Sequence, residues 1–143
     1  MDQHAQRRLE EVLDREIEAA RSLAANLAAE RAALTGDSPE AVEQKAAEKI
    51  RLLGVIESLE TERRALSAAP GDSRFAATLA ERWRSLMELM AGCRGANEVN
   101  GRIIRVRQNQ IRQLLDIVRG GPAITYSPQG KTFAKALRAL ARA

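Results

Sequence analysis

The chain of 143 residues has only one histidine, His4, and one cysteine, Cys93. One cysteine cannot form a disulfide within the chain, and one cysteine with one histidine cannot build a zinc site. A Ser-His-Asp or Cys-His catalytic site would depend on His4, near a terminus that we expect to fray. The sequence therefore predicts no enzyme, no metal site and no cofactor, and Cys93 is best interpreted as a small buried hydrophobe.

Aromatic and β-branched residues are also scarce. The aromatic residues are Phe75, Trp83, Tyr126 and Phe133. Strands are built mainly from these residue types, so a sandwich, a barrel or a parallel sheet is excluded. Alanine, glutamate, lysine, leucine and arginine supply 79 of the 143 residues, a composition typical of long helices and coiled coils. The predicted fold class is all-α.

Long apolar runs are missing as well. No stretch approaches the ~18 apolar residues that a membrane-spanning helix needs. The first residues, Met1 to Glu11, are charged and lack the apolar segment of a secretory signal. Because no disulfide can form either, we expect a cytoplasmic protein without stable membrane insertion.

Three breakers that contain glycine and proline divide the chain, at residues 35–39, 70–72 and 120–122. Between them, apolar residues recur every three or four positions, which predicts helices at about 2–34, 39–68 and 73–119. Short connections between long helices favour antiparallel neighbours. We therefore predict an antiparallel bundle of three long helices, the third being the longest.

The second predicted helix has a clear start. Ser38 is a good N-cap, and Pro39 suits the first helical position. Its apolar stripe includes Ile50 and Leu53. Gly54 lies within this helix, where it costs roughly 1 kcal/mol relative to alanine, so it marks either close helix packing or simple tolerance.

The third predicted helix carries the most informative stripe, from Phe75 to Val118, and the stripe turns polar at Asn97, Asn100 and Gln108. An unpaired buried amide costs ~1–3 kcal/mol. Either this stretch faces water, or the asparagines fix the register of the bundle, or the stretch receives a partner. Glycines that would allow a bend in this helix are Gly92, Gly95 and Gly101.

The charge is unevenly distributed. Residues 94–143 hold ten basic and two acidic residues, whereas residues 1–93 hold 13 basic and 17 acidic ones. The two parts of the chain should therefore meet different partners. We expect residues 1–119 to form the bundle and residues 120–143 to form a flexible tail with a binding segment. The tail contains a short basic amphipathic helix, Lys131 to Ala143, which would be marginal alone in water.

Two short motifs stand out in the second half of the chain. The first is an Asn-x-x-Asn-Gly element with an aliphatic pair behind it, here Asn97, Asn100, Gly101, Ile103 and Ile104. The second is a Tyr-x-x-x-Gly turn about twenty-five residues later, here Tyr126 and Gly130. Together they resemble the motifs of the FlgN family of flagellar export chaperones. The match in motifs covers about residues 90–131, and the helical layout agrees along the whole chain.

The resemblance implies a small cytoplasmic chaperone of the flagellar type III export system. Such proteins bind the C-terminal helices of the hook–filament junction proteins FlgK and FlgL and keep them from assembling early. They also dock on the export gate protein FlhA through a tyrosine, which by motif position would be Tyr126.

Our hypothesis for the client surface combines the end of the third helix with the tail helix. Its members are Ile103, Ile104, Ile111, Leu114, Leu115, Val118, Phe133, Leu137 and Leu140. The tail helix would cover this surface without a client or clamp a bound one. We expect a monomer or a weak homo-oligomer.

Other functions stay open at this point. The main alternative is a structural coiled-coil or dimerisation protein. Another is a type III export chaperone similar to FliT with a different client. A nucleic-acid binder would use the basic second half, but the sequence lacks interleaved stacking aromatics and a helix-turn-helix.

Overall fold

The computed structural model describes residues 3–67 and 77–120. These residues form three helices and no strand: α1 is Gln3–Leu34, α2 is Pro39–Ser67 and α3 is Ala77–Val118. The all-α prediction is confirmed for the described residues, and the predicted ends of the helices there are correct to within one residue. The predicted start of the third helix, at residue 73, and the predicted tail helix lie outside them.

The connection between α1 and α2 follows the local signals in the sequence. The backbone N–H of Thr35 donates to the Arg31 carbonyl at 3.2 Å, which closes the last turn of α1. Ser38 caps α2, since the backbone N–H of Ala41 donates to Ser38 Oγ at 3.2 Å. This bond satisfies one of the donors that the first turn of a helix leaves open. With Pro39 at the next position, the chain turns back after four residues.

The third helix is the longest, with 42 residues against 32 in α1 and 29 in α2. At about 1.5 Å per residue, α3 is roughly 63 Å long. It continues without interruption through the three internal glycines at which a bend would be cheapest. After its last turn, Gly120 adopts a φ of +81°, a left-handed conformation that glycine takes without steric cost.

Helix α1 is central and packs against both other helices. Its contacts with α2 run in opposite order along the two helices. Asn26 donates to the carbonyl of Lys45 at 2.9 Å, whereas the earlier Glu16 pairs with the later Arg63 at 2.9 Å. These pairings place the start of α2 beside the end of α1.

Contacts between α1 and α3 run in the same order along both helices. Arg82 pairs with Asp14 at 2.8 Å, and Asn100 donates to the carbonyl of Leu27 at 2.9 Å. Within the described residues, no Cα atom of α2 lies within 8 Å of one in α3. The two outer helices therefore rest on α1 without closing over it, and a groove remains between them.

The buried core consists of two clusters along α1. The first comprises Leu9, Leu13, Ile17, Ala20, Leu79 and Leu86, with Trp83 packed against it. The second comprises Ala19, Leu23, Leu27, Leu52, Ile56, Leu59 and Cys93. Helix α1 supplies seven of these thirteen cluster residues and packs against both other helices, so it is the helix on which the other two depend.

The predicted stripe of α2 was wrong at two positions. Ile50 is 70% exposed and Leu53 is 44% exposed, while Leu52, Ile56 and Leu59 form the buried face. The physical reason is that the backbone of α2 lies close to that of α1 but not to that of α3, which it contacts through long side chains such as Lys49 and Arg63. Only a narrow face of α2 is therefore covered. Gly54 does not mark close packing, since a Cβ built there meets no atom within 4 Å.

Candidate functional site

The asparagine of the motif that lies deepest in the bundle is Asn100, whose side chain is fully buried. Asn100 Nδ2 donates to the carbonyl of Leu27 and to Glu30 Oε1, both at 2.9 Å. Asn100 Oδ1 accepts from Arg31 Nε at 3.0 Å. Since both amide donors and the oxygen are paired, the residue carries no desolvation penalty that a partner would have to relieve.

The same network reaches α2 through Lys49. Its Nζ lies 3.0 Å from Glu30 Oε2, on a carboxylate that is almost wholly buried, and it donates to Asn97 Oδ1 at 3.1 Å. We call Glu30, Arg31, Lys49, Asn97 and Asn100 the polar junction. It joins all three helices, which favours the interpretation that Asn100 fixes the register of α3 on α1.

A second buried carboxylate lies nearer the N-terminus of α1. Glu16 accepts two hydrogen bonds from Arg63 Nε, at 2.9 and 3.1 Å, and the Arg63 guanidinium lies 4.6 Å from the centroid of the Trp83 ring. Burial raises the pKa of Glu16 above its ordinary value, while the adjacent Arg63 acts in the opposite direction. This contact again involves α1, α2 and α3.

These buried charged residues were missed by the sequence argument. The signal that could have found them is their spacing. Glu16 and Glu30 are fourteen residues apart on α1, and their partners Lys49 and Arg63 are fourteen residues apart on α2. Two heptads return a residue to nearly the same face of a helix, so four charges at matched spacing indicate two paired layers.

The end of α3 extends beyond its neighbours. Asn100 lies beside Leu27, and α1 ends seven residues later at Leu34. By the helical rise, α1 therefore ends at about the level of Arg107. Because Lys49 lies beside Asn97 and α2 begins ten residues earlier, α2 stops at about the same level. We call residues 108–118 the overhang.

The overhang continues the apolar stripe that is buried within the bundle. Ile111 is 47% exposed, Leu115 is 44% exposed and Val118 is 73% exposed. At the predicted client surface, Ile103, Ile104 and Leu114 are half-buried. The structure thus places these six predicted residues on one end of one helix. The other predicted residues, Tyr126, Gly130, Phe133, Leu137 and Leu140, lie outside the described residues.

Ion pairing of the arginines also differs between the bundle and the exposed end of α3. The arginines of α3 from the junction outward, together with the one that follows the helix, are Arg94, Arg102, Arg105, Arg107, Arg112 and Arg119. None of them forms an ion pair with a described residue, whereas lower in the bundle Arg8, Arg63 and Arg82 do. Of these arginines, Arg112 lies within the overhang and the others lie before or just after it. The end of α3 therefore presents apolar side chains near cations that have no ion-pair partner among the described residues, which suits an acidic amphipathic partner.

The motif glycine, Gly101, is half-buried, and a Cβ built on it meets no atom within 4 Å. Packing among the described residues therefore does not require a glycine at this position. Cys93 is buried, with Sγ 3.5 Å from the Ala20 carbonyl. Burial raises the pKa of the Cys93 thiol, so the prediction of a small core residue is confirmed over that of a reactive thiol.

The groove between α2 and α3 contains a cavity of about 170 Å³ that opens to solvent. Its lining includes Leu23 and Leu27 from α1, Lys49 and Leu53 from α2, and Met90 and Arg94 from α3. The described residues contain no group of three or more His, Cys, Asp or Glu side chains placed to hold a metal ion. None of the three described helices is long and apolar enough to cross a bilayer.

Comparison with known proteins gives a family for this architecture. The model of the FlgN protein family matches residues 1–133 of the 143. Neither the search of curated proteins nor the search of solved structures found a match. The family match covers nearly the whole chain, including both motifs and the three described helices. The chain therefore belongs to the FlgN family of flagellar export chaperones, which are not enzymes.

Proposed function

We propose that this chain is a cytoplasmic chaperone for the hook–filament junction proteins FlgK and FlgL. It binds their C-terminal helices, prevents premature assembly and delivers them to the export gate protein FlhA. The observation that carries this proposal is the overhang, where the core stripe of α3 continues with Ile111, Leu115 and Val118 four-tenths or more exposed. An amphipathic client helix would bury these residues as helix-in-groove partners do.

The division of labour follows the two parts of the chain. Residues 1–119 form the scaffold that holds the overhang in place, and residues 120–143 supply the tail. In this proposal Phe133, Leu137 and Leu140 clamp the client against the overhang. Tyr126 contacts FlhA, in keeping with its position in the family motif.

Co-purification tests the proposal most broadly. The full chain should retain FlgK, FlgL and the cytoplasmic domain of FlhA from the same bacterium. A chain without residues 120–143 should remain helical by circular dichroism but lose most of its affinity for a synthetic FlgK C-terminal peptide in calorimetry. If the shortened chain binds that peptide as tightly as the full chain does, the role of the tail is wrong.

The gate contact can be tested separately. Replacing Tyr126 by alanine should weaken binding to the FlhA cytoplasmic domain while leaving binding to the FlgK peptide unchanged. Thr125→Ala, at the neighbouring position, is the matched control and should leave both affinities as they are. Loss of FlgK binding in the Tyr126 variant would assign this residue to the client site instead.

The same exposed stripe also favours a second candidate, a structural or dimerisation protein, because two copies could bury their overhangs against each other. Sedimentation of the full chain distinguishes the two. A stable dimer that ignores FlgK, FlgL and FlhA would support the structural protein. Retention of a different flagellar protein in the co-purification would indicate a chaperone similar to FliT.

A further inference from the structure

The groove between α2 and α3 is a second surface that the bundle leaves unfilled. Its cavity of about 170 Å³ has Leu27 as part of its floor and Leu53 and Met90 on opposite walls. An engineered cavity of ~150 Å³ is enough to hold a benzene molecule. The groove therefore has room for one branched or aromatic side chain inserted from solvent.

Part of the groove lining is flexible and can adapt to the shape of an apolar side chain from a bound helix. After Met1, the only methionines are Met87 and Met90, one turn apart on α3, and Met90 lines the cavity. Met87 is 41% exposed and Met90 is half-buried. Methionine side chains are flexible and polarisable, and they are common at surfaces that receive varied apolar anchors.

The charge on the rim selects the kind of occupant. Arg94 lines the cavity and forms no ion pair with a described residue, whereas Lys49, which lines it from α2, is paired with Glu30. The last segment of the chain, residues 131–143, has four basic residues and no acidic one. Like charges would oppose its entry, so the chain's own tail is a poor occupant. A helix that carries a carboxylate beside its apolar anchor is complementary.

We infer that this groove is the inner half of the client site. A client helix inserts one apolar side chain between Leu53 and Met90 and places a carboxylate beside Arg94. This inference rests on the proposed function. Arg94 and Ile111 are seventeen residues apart, about 25 Å along α3, so one client helix of roughly 20 residues can cover the groove and the overhang together.

Calorimetry with the full chain and a synthetic FlgK C-terminal peptide tests the rim. Arg94→Glu should weaken binding about tenfold, because it places like charges together at a desolvated contact. Arg84→Glu is the matched control, since Arg84 is an exposed arginine ten residues earlier on α3 and outside the cavity lining. Its affinity should stay within about twofold of the original.

A second pair of variants tests the wall. Leu53→Gln should weaken peptide binding about fivefold, because a polar side chain replaces part of the apolar pocket. Val55→Gln is its control: Val55 is exposed to a similar degree, at 37%, but is about 200° further round the helix. Cross-linking is a second measurement, and it does not depend on a change in affinity. Benzoylphenylalanine in place of Leu53 should cross-link to the peptide, and benzoylphenylalanine in place of Val55 should not.

The outcomes separate the two proposals. If the unmodified chain does not bind the peptide, the proposed function fails and the groove inference fails with it. If the unmodified chain binds, but Arg94→Glu and Leu53→Gln behave like their controls and no cross-link forms at position 53, the groove inference alone is overturned. Weakened binding and a cross-link at position 53, with unaffected controls, support both.

Discussion

The two halves of α3 have the same periodicity but different surroundings. In the first half, Leu79, Leu86 and Cys93 are buried on α1. In the second half, Ile111 and Leu115 lie on the same stripe and are more than two-fifths exposed. The difference arises because α1 and α2 end at about the level of Arg107. An apolar stripe shows which face of a helix can be buried by a neighbour. The lengths of the neighbouring helices decide whether that face is buried within the chain.

The polar junction marks the boundary between these halves. It lies about one to three turns before the level at which the neighbouring helices end. It pairs the buried side chains of Asn100 and Glu30, and Arg31 donates a further bond to Asn100. A network that is satisfied in only one register holds α3 at a fixed height on α1. The length of the overhang is then set by the junction, and so is the area available to a client.

The largest expected effect is the contrast between a bundle leucine and an overhang leucine. Leu86→Ala removes a side chain that is 2% exposed and should lower the free energy of unfolding by about 3 kcal/mol. Leu115→Ala should lower it by less than about 1 kcal/mol, because much of that side chain already contacts water. Urea unfolding measures both, and equal losses would mean that the overhang is part of the core.

Removing the buried amide of the junction should have the next largest effect. Asn100→Ala leaves Glu30 and Arg31 without that partner, so we expect a loss of about 2 kcal/mol in unfolding free energy. Asn97→Ala should cost about 0.5 kcal/mol, since Asn97 is exposed and only accepts one bond from Lys49. A similar cost for both variants would show that the junction does not depend on the buried asparagine.

A pH titration tests the lower buried carboxylate. The folded-state pKa of Glu16 is raised above its ordinary value of 4.5, so the folded chain keeps a proton that the unfolded chain has released. The contribution of Glu16 to stability should therefore fall as pH rises above 4.5, by at most about 1.4 kcal/mol per pH unit. The excess stability of the original chain over Glu16→Gln should decline over that range.

The control for this titration is Glu18→Gln, since the Glu18 side chain is 73% exposed. Its unfolding free energy should follow that of the original chain across the same pH range. If the excess stability of the original chain over Glu16→Gln instead rises with pH, then Arg63 affects the pKa of Glu16 more strongly than burial does.

The smallest expected effect concerns the motif glycine. Gly101→Ala should raise the unfolding free energy by about 0.5–1 kcal/mol, because alanine loses less backbone entropy in a helix and open space surrounds its Cβ. Gly92→Ala, in the covered half, meets equally open space and should give the same gain. Urea unfolding measures both variants. If Gly101→Ala alone lowers the unfolding free energy, Gly101 has a role in packing.

Much of the fold could be predicted because its signals are local. Ser38 and Pro39 set the start of α2, and the breakers set the ends of the helices. The depth of Asn100 could not be predicted, since the same polar interruption is expected of a water-facing stretch. Its burial depends on the positions of Glu30 and Arg31 on α1. The periodicity within α3 gives no information about those positions.

The prediction for α2 failed for a related reason. Ile50 and Leu53 have the spacing of a core stripe, but the backbone of α2 packs closely against one helix instead of two. A single neighbour covers a narrower face than a closed bundle would. For the candidate site, three of the predicted α3 residues, Ile111, Leu115 and Val118, are exposed. The sequence did not predict the groove, because the groove exists only through the separation of α2 from α3.

In the proposed function, the uncovered end of α3 binds the client helix. Calorimetry of the FlgK C-terminal peptide with an Ile111→Glu, Leu115→Glu double variant tests it most directly. Val106→Glu is the control, because Val106 is 55% exposed but lies on another face of the helix. We predict at least about a tenfold loss of affinity for the double variant, with helix content unchanged and the control unaffected. Undiminished affinity in the double variant would contradict the claim.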